Sequence, residues 1–117
     1  MFGPHLMVDA VRIPKKKLLD MEFIYEFLDT CPDKIDMTKI APPHIVQNKL
    51  GLAGMILIAE SHISVHTDAK ENKLHIDIFS CKDFSERKAI NYIIKFFGLK
   101  KYNKEFIHRG KNFPRWS

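Results

Sequence analysis

The stretch Gly54-Met55-Ile56-Leu57-Ile58-Ala59-Glu60-Ser61-His62-Ile63-Ser64-Val65-His66-Thr67 changes its pattern halfway. Residues 54–59 form an unbroken apolar run of strand length, which predicts a central strand. From Ser61 onward the pattern alternates: Ile63 and Val65 fall on one side, and His62, Ser64 and His66 on the other. That two-residue period belongs to a strand with a single apolar face. The change of rule falls at Glu60–Ser61.

Downstream, Asp68 to Asn72 reads as a turn, and Lys73 to Cys81 alternates again. Leu74, Ile76 and Ile78 share one face; His75, Asp77, Phe79 and Cys81 share the other. Asp83-Phe84-Ser85-Glu86 has the spacing of a capping box, with Asp83 as N-cap and Glu86 at N3. The helix it predicts carries Ala89, Ile90, Ile93, Ile94 and Phe97 on one stripe and stops at Gly98. Tyr102 to His108 predicts a last strand, followed by a loosely held tail, Arg109 to Ser117.

Upstream, Asp33 to Lys49 contains Pro42-Pro43 and reads as a loop with an edge strand. Lys15 to Thr30 places Leu18, Leu19, Phe23, Ile24, Phe27 and Leu28 at helical spacing, predicting one amphipathic helix stopped by Pro32. His5 to Val11 predicts the first strand. The expected class is therefore α+β: a two-layer sandwich, a mostly antiparallel sheet with two helices on one face. Ile63, Val65, Leu74, Ile76 and Ile78 would lie under the helices. The opposite face would gather His62, Ser64, His66, His75, Asp77 and Cys81. Nucleophiles and bases concentrated on an uncovered sheet face predict a site, and a dimer partner could cover it.

Composition sets the bounds. A chain of 117 residues suits one domain with one core. Apolar residues make up 45% and charged residues 28%, as in ordinary globular proteins. No apolar run approaches the ~20 residues of a membrane span, and the N-terminus lacks the layout of a signal peptide; a cytoplasmic protein without a membrane partner is expected. The two cysteines, Cys31 and Cys81, are too few for a disulfide framework. Cys31 reads as structural. The net charge of +5 permits nucleic-acid binding without demanding it. A nucleic-acid module would use Lys100, Lys101, Lys104, Arg109, Lys111 and Arg115 with Tyr102, Phe106, Phe113 and Trp116, but basic tails are commoner than binding tails. His62 and His66, four residues apart on one strand, stand roughly 13 Å apart, too far to share one zinc. No metal site is expected.

Two segments together carry a specific resemblance: Glu60-Ser61-His62 with His66-Thr67, and Asp77-Ile78-Phe79-Ser80-Cys81, with Ser61 and Cys81 twenty positions apart. They resemble the short prokaryotic class of S-adenosylmethionine decarboxylase proenzymes, and the likeness extends to Gly3-Pro4-His5-Leu6. The resemblance implies a pyruvoyl cofactor made by self-cleavage between Glu60 and Ser61, dividing one domain, residues 1–117, into two chains. Ser61 becomes the pyruvoyl group that takes the substrate amine as a Schiff base; His66 accepts a proton during processing; Cys81 donates one during decarboxylation. It also implies a homodimer with shared sites. His5 and Asp9 are candidates for holding substrate, and Asp77 could tune Cys81 or His75 or be a solvated strand residue.

The chemistry is sound on its own terms. A serine hydroxyl beside a strained peptide bond can attack the preceding carbonyl, and a neutral imidazole suits removal of the α-proton that follows. Yet Ser61 and His66 have opposite parity on a straight strand. A bulge, a twist or a sharp, strained turn at residues 60–61 would reconcile them.

Three positions depart from the family pattern. Ala53 stands where a serine is usual, Gln47 where an aromatic residue stacks on adenine, and Asp68 to Asn72 replaces a Pro-Glu-Gly-like turn. They leave arginine or ornithine open as substrates in place of S-adenosylmethionine. An unprocessed, non-catalytic homologue that binds or regulates a partner is the alternative of another class.

Overall fold

The computed structural model describes residues 3–110. Its elements are β1 (Gly3–Val11), α1 (Lys15–Leu18), α2 (Met21–Lys34), β2 (His44–Gln47), β3 (Leu52–Ile58), β4 (Ser61–Asp68), β5 (Lys73–Ser80), α3 (Glu86–Phe97) and β6 (Lys101–Arg109). The six strands form one sheet in the order β2-β3-β4-β5-β1-β6, every pair antiparallel. Strands β2 to β5 are a simple meander. β1 lies between β5 and β6, so Leu6 partners Ile78 on one side and Phe106 on the other. That long-range pairing carries the N-terminal strand to the end of β5, where the candidate site begins.

Alternation decides the two faces. Leu6, Val8 and Ala10 of β1, Ile56 and Ile58 of β3, Ile63 and Val65 of β4, and Leu74, Ile76 and Ile78 of β5 are buried. Helices α2 and α3 cover them with Ile24, Phe27, Leu28 and Cys31, and with Ala89, Ile93 and Phe97. This is the expected two-layer α+β sandwich. Ile63 sits opposite Ile56 and Ile78, and Val65 opposite Gly54 and Ile76; keeping these side chains on the buried face fixes the register against one-residue slips. Helix α3 ends as its sequence demands, at Gly98 with φ 68°, a conformation that costs other residues a steric penalty.

Several expectations are corrected. Lys15 to Thr30 is not one helix. It breaks after Leu18 and restarts at Met21, because the Asp20 carboxylate accepts a hydrogen bond from the Phe23 N–H and caps a new start. A third, short helix therefore joins the two expected. Nor does Pro32 stop α2, which continues to Lys34; so close to the helix end, the missing proline N–H costs only one bond. The cap of α3 is Ser85, whose side chain accepts from the Lys88 N–H, and not Asp83. β3 lies inside the sheet, but its apolar run is not covered on both faces: Met55 and Leu57 are 39% and 48% exposed. Of the tail, Lys111 to Ser117 lies outside the described residues, together with Phe113, Arg115 and Trp116 of the nucleic-acid reading.

Candidate active site

β3 and β4 join through Ala59–Glu60, with Ile58 directly opposite Ser61. Across the next strand boundary Ser61 partners Ser80. Beyond that pair the Cys81 N–H donates to the Glu60 carbonyl oxygen at 2.9 Å. The carbonyl on the N-side of the Glu60–Ser61 bond is thus held by the backbone of the candidate proton donor. Residues 38–40 flank the same turn: the Ala59 N–H donates to the Thr38 carbonyl at 2.8 Å, and the Thr38 N–H to the Glu60 carboxylate at 3.4 Å. Glu60, Ser61 and Cys81 therefore meet at one end of the sheet. Ser61 is half-buried and Cys81 exposed.

Residues 60–61 carry neither a positive φ nor a cis peptide bond. Among the described non-glycine residues, positive φ occurs at Arg12, Asp36 and Asn72. What acts on the Glu60 carbonyl is a hydrogen bond, which withdraws electron density from its carbon. Nor does a bulge intervene. β4 pairs without interruption from Ser61 to Asp68, so Ser61 keeps the parity of Ile63 and His66 that of His62. Five residues of extended strand, about 16 Å, separate Ser61 from His66 in the same chain.

His66 belongs instead to the middle of the open face. Reading across the sheet, one row is Ala53, His66, His75, Asp9 and Asn103, and the next is Met55, Ser64, Asp77, Met7 and Glu105. A third, nearest the Ser61 end, is Leu57, His62, Phe79, His5 and Ile107. Two histidine–carboxylate pairs bind β1 to β5: His75 Nδ1 lies 2.7 Å from Asp9 Oδ1, and His5 Nε2 lies 3.2 Å from Asp77 Oδ1. Asp77 therefore partners His5, and neither Cys81 nor His75 as expected. His5 and Asp9 are on the site face, each already engaged. His62, Ser64 and His66 line a concavity of about 370 Å³ with His44, Val46, Ala53 and Met55; no aromatic ring apart from imidazoles lines it. Burial, then the neighbouring His5, hold the His62 imidazole below its ordinary value. Among the described residues, no three His, Cys, Asp or Glu side chains come together as metal ligands.

Cys31, expected to be structural, is buried in α2, and burial pushes its thiol up to about 12. It cannot supply a thiolate.

Two residues at the Cys81 end escaped the sequence reading. Ser80, one of the two buried polar residues among those described, bonds to both the amide and the carbonyl of Lys82. Gly3 packs so closely that a Cβ there would lie 1.9 Å from the Ser80 carbonyl oxygen and 2.8 Å from the Cys81 Cα. Both stand inside motifs already quoted, but nothing in the sequence tells a clamping serine from an exposed one.

Comparison with known proteins bears on the family and the fold. Residues 4–110 match the family described as S-adenosylmethionine decarboxylase. The chain is 34% identical to an S-adenosylmethionine decarboxylase proenzyme of Clostridium botulinum over 93% of its own length and 95% of that protein's. It is 28% identical to one of Archaeoglobus fulgidus over 92% and 97% of the two lengths. Among solved structures, the adenosylmethionine decarboxylase of Aquifex aeolicus superposes with a TM-score of 0.79 at 30% identity, covering 91% of this chain and 88% of that one.

Proposed function

The chain belongs to the S-adenosylmethionine decarboxylase family, and from that premise we propose that it cuts itself between Glu60 and Ser61 and then decarboxylates S-adenosylmethionine, with Ser61, His66 and Cys81 as the working residues. The observation that carries the reading is the hydrogen bond from the Cys81 N–H to the Glu60 carbonyl oxygen. One short contact joins the residue to be cut and the residue that uses the result.

The Ser61 hydroxyl attacks the Glu60 carbonyl carbon, its neighbour along the chain, and the amide becomes an ester. Negative charge gathers on the Glu60 oxygen as the bond forms, and the Cys81 N–H already points at that atom. A base then removes the Ser61 α-proton, and elimination frees Glu60 as a carboxylate, leaving a dehydroalanine at residue 61. Its hydrolysis releases ammonia and leaves the pyruvoyl ketone. The base assigned here is His66, and the parity of β4 keeps it from reaching Ser61 of its own chain. We assign the role to His66 of a second copy. The open face, with Val46, Leu57 and Ile107 each more than two-fifths exposed, is the surface a homodimer would cover, since stacked sheets bury such faces against each other.

The residues around Ser61 suit a pyruvoyl group. The α-carboxylate made by the cut has the Cys81 N–H as an available donor, the Glu60 side chain keeps the Thr38 N–H, and an exposed thiol stands beside the new terminus. The pyruvoyl ketone supplies an electron sink for loss of CO₂ from an amino acid. Cys81 gives the proton that restores the substrate carbon. His5 and Asp9 hold neighbouring side chains in place through Asp77 and His75, and so orient the substrate-facing row. The same reading puts the enzyme in the cytoplasm, where two free cysteines persist as thiols.

Intact-mass analysis of the purified chain is the first test: fragments 1–60 and 61–117, the second blocked by pyruvoyl, are expected. A single uncut mass after prolonged warm incubation would refute self-processing. CO₂ release from S-adenosylmethionine, with arginine and ornithine as comparators, tests the substrate.

A further inference from the structure

Cys81 carries the step at which a misplaced proton would be most damaging, yet it follows the last residue of β5 and is exposed. A residue just beyond a strand end has little of the ladder to hold it. Something else must fix the thiol. One restraint is the bond from its own N–H to the Glu60 carbonyl, but self-cleavage turns Glu60 into a free chain end. After the cut that bond runs to a chain terminus and no longer to a continuous backbone.

Three other restraints do not depend on the cut. The Ser80 hydroxyl, fully buried, accepts from the Lys82 N–H at 2.8 Å and donates to the Lys82 carbonyl at 2.7 Å. One oxygen thereby closes a loop around Cys81 and fixes the peptide units on both sides of Lys82, the first of which follows Cys81 directly. The same hydroxyl lies 3.8 Å from the Met37 sulfur. The Lys82 ammonium donates to the Asp36 carbonyl at 3.0 Å and anchors the far end of the loop. Behind it, the Gly3 backbone presses on the Ser80 carbonyl and the Cys81 Cα, leaving no room for a side chain. β1 thus backs the loop that the serine closes.

We propose that Ser80 is the positioning residue for the Cys81 proton donor, with Gly3 as its backstop, and that this clamp keeps the proton directed to the substrate carbon after the chain is cut. The inference rests on the assignment of Cys81 above. Its chemistry is a choice between two carbons. When the electron pair freed by CO₂ is protonated on the substrate carbon, the amine product leaves and the ketone returns. When it is protonated on the residue-61 carbon, hydrolysis leaves the amino group on the chain as alanine and releases the substrate skeleton as an aldehyde. Water supplies the aldehyde oxygen, and the ketone carbon takes up the electron pair. A displacement of the order of 1 Å at a reacting group can cost about 100-fold, so even a modest loosening shifts this choice.

The experiment compares the wild type with Ser80→Ala, Ser80→Thr and Gly3→Ala. In the uncut Ser61→Ala background, amide hydrogen exchange at Cys81 and Lys82 is expected to accelerate with Ser80→Ala and to stay slow with Ser80→Thr, which keeps the hydroxyl. In the cleaved enzymes given S-adenosylmethionine, N-terminal sequencing counts alanine-ended 61–117 chains per molecule of product. Ser80→Ala is expected to raise that ratio by about tenfold or more, and Ser80→Thr to restore it. Gly3→Ala provides a second route to the same displacement if Ser80→Ala folds poorly. A general loss of stability would reduce turnover without altering the ratio. A wild type that cuts and turns over, with the ratio unchanged in Ser80→Ala or, where that variant fails to fold, in Gly3→Ala, would overturn the proposal alone. A wild type that neither cuts nor turns over would remove the role of Cys81, and this inference with it.

Discussion

The two faces of the one sheet differ in how completely the chain itself accounts for them. On the helix side, Ile63, Val65, Leu74, Ile76 and Ile78 are each at most 1% exposed beneath α2 and α3. On the other side, alternate residues of the same strands carry imidazoles and carboxylates beside Val46, Met55 and Leu57, and among the described residues no element covers them. The first face is finished by folding. The second is left open by the described residues, and the residues assigned to chemistry lie there or at its rim. Stability and function are thus separated by the strand's two-residue period.

The sharpest way to break this contrast is to ask whether one copy can complete another's site. A His66→Ala chain made alone is expected to remain uncut, as is Ser61→Ala. Co-expressed, the pair should give cleavage of the His66→Ala chain, read by intact mass, because its Ser61 meets the intact His66 of the other copy. Absence of cleavage in the mixture would return His66 to its own chain or remove it from processing.

Next in size is a covered-face substitution. Ile63→Ala deletes a fully buried side chain and should lower unfolding stability by about 2–5 kcal/mol in denaturant titration. Leu57→Lys, on the open face, should change the stability of the isolated chain by no more than about 0.5 kcal/mol. It should nevertheless shift sedimentation toward the monomer and slow self-cleavage at low protein concentration. Equal stability losses from both would contradict the division of labour.

The smallest effect is a pH dependence. Burial and the nearby His5 lower the folded-state value of His62 below the ordinary imidazole value. The folded chain therefore binds fewer protons at this position than the unfolded chain. Its contribution to stability is present above the ordinary value and is lost as pH falls through the lowered one. His62→Gln should flatten that part of the stability profile between roughly pH 7 and 5, and an unchanged profile would mean that His62 is not desolvated.

Much of this was legible in the sequence, for identifiable reasons. Ile63–Val65 and Leu74–Ile76–Ile78 declare the covered face because burial acts on alternate residues of a strand. Gly98 declares the end of α3 because few other residues accept a left-handed backbone. Where local signals competed, the reading slipped. Asp83 and Ser85 can both cap, and the choice fell to the one whose oxygen reaches a third-residue amide, Ser85. Pro32 by itself predicts a stop, but the cost of a missing N–H depends on its distance from the helix end, which no single residue encodes.

The site divides in the same way. By itself, the sequence determined which residues are chemically able to act, since Glu60-Ser61-His62, His66-Thr67 and Asp77-Phe79-Ser80-Cys81 are fixed by their identities and spacing. It also determined that Ser61 and His66 differ in parity, because parity is a property of counting. Only the tertiary structure decided what that difference means. An unbroken register from Ser61 to Asp68 leaves no bulge to reconcile the two residues. The insertion of β1 beside β5 brings Gly3 against Cys81, and His5 and Asp9 against Asp77 and His75. Those contacts join residues more than sixty positions apart, and strand order, which creates them, is set by the packing of the whole sheet against its helices.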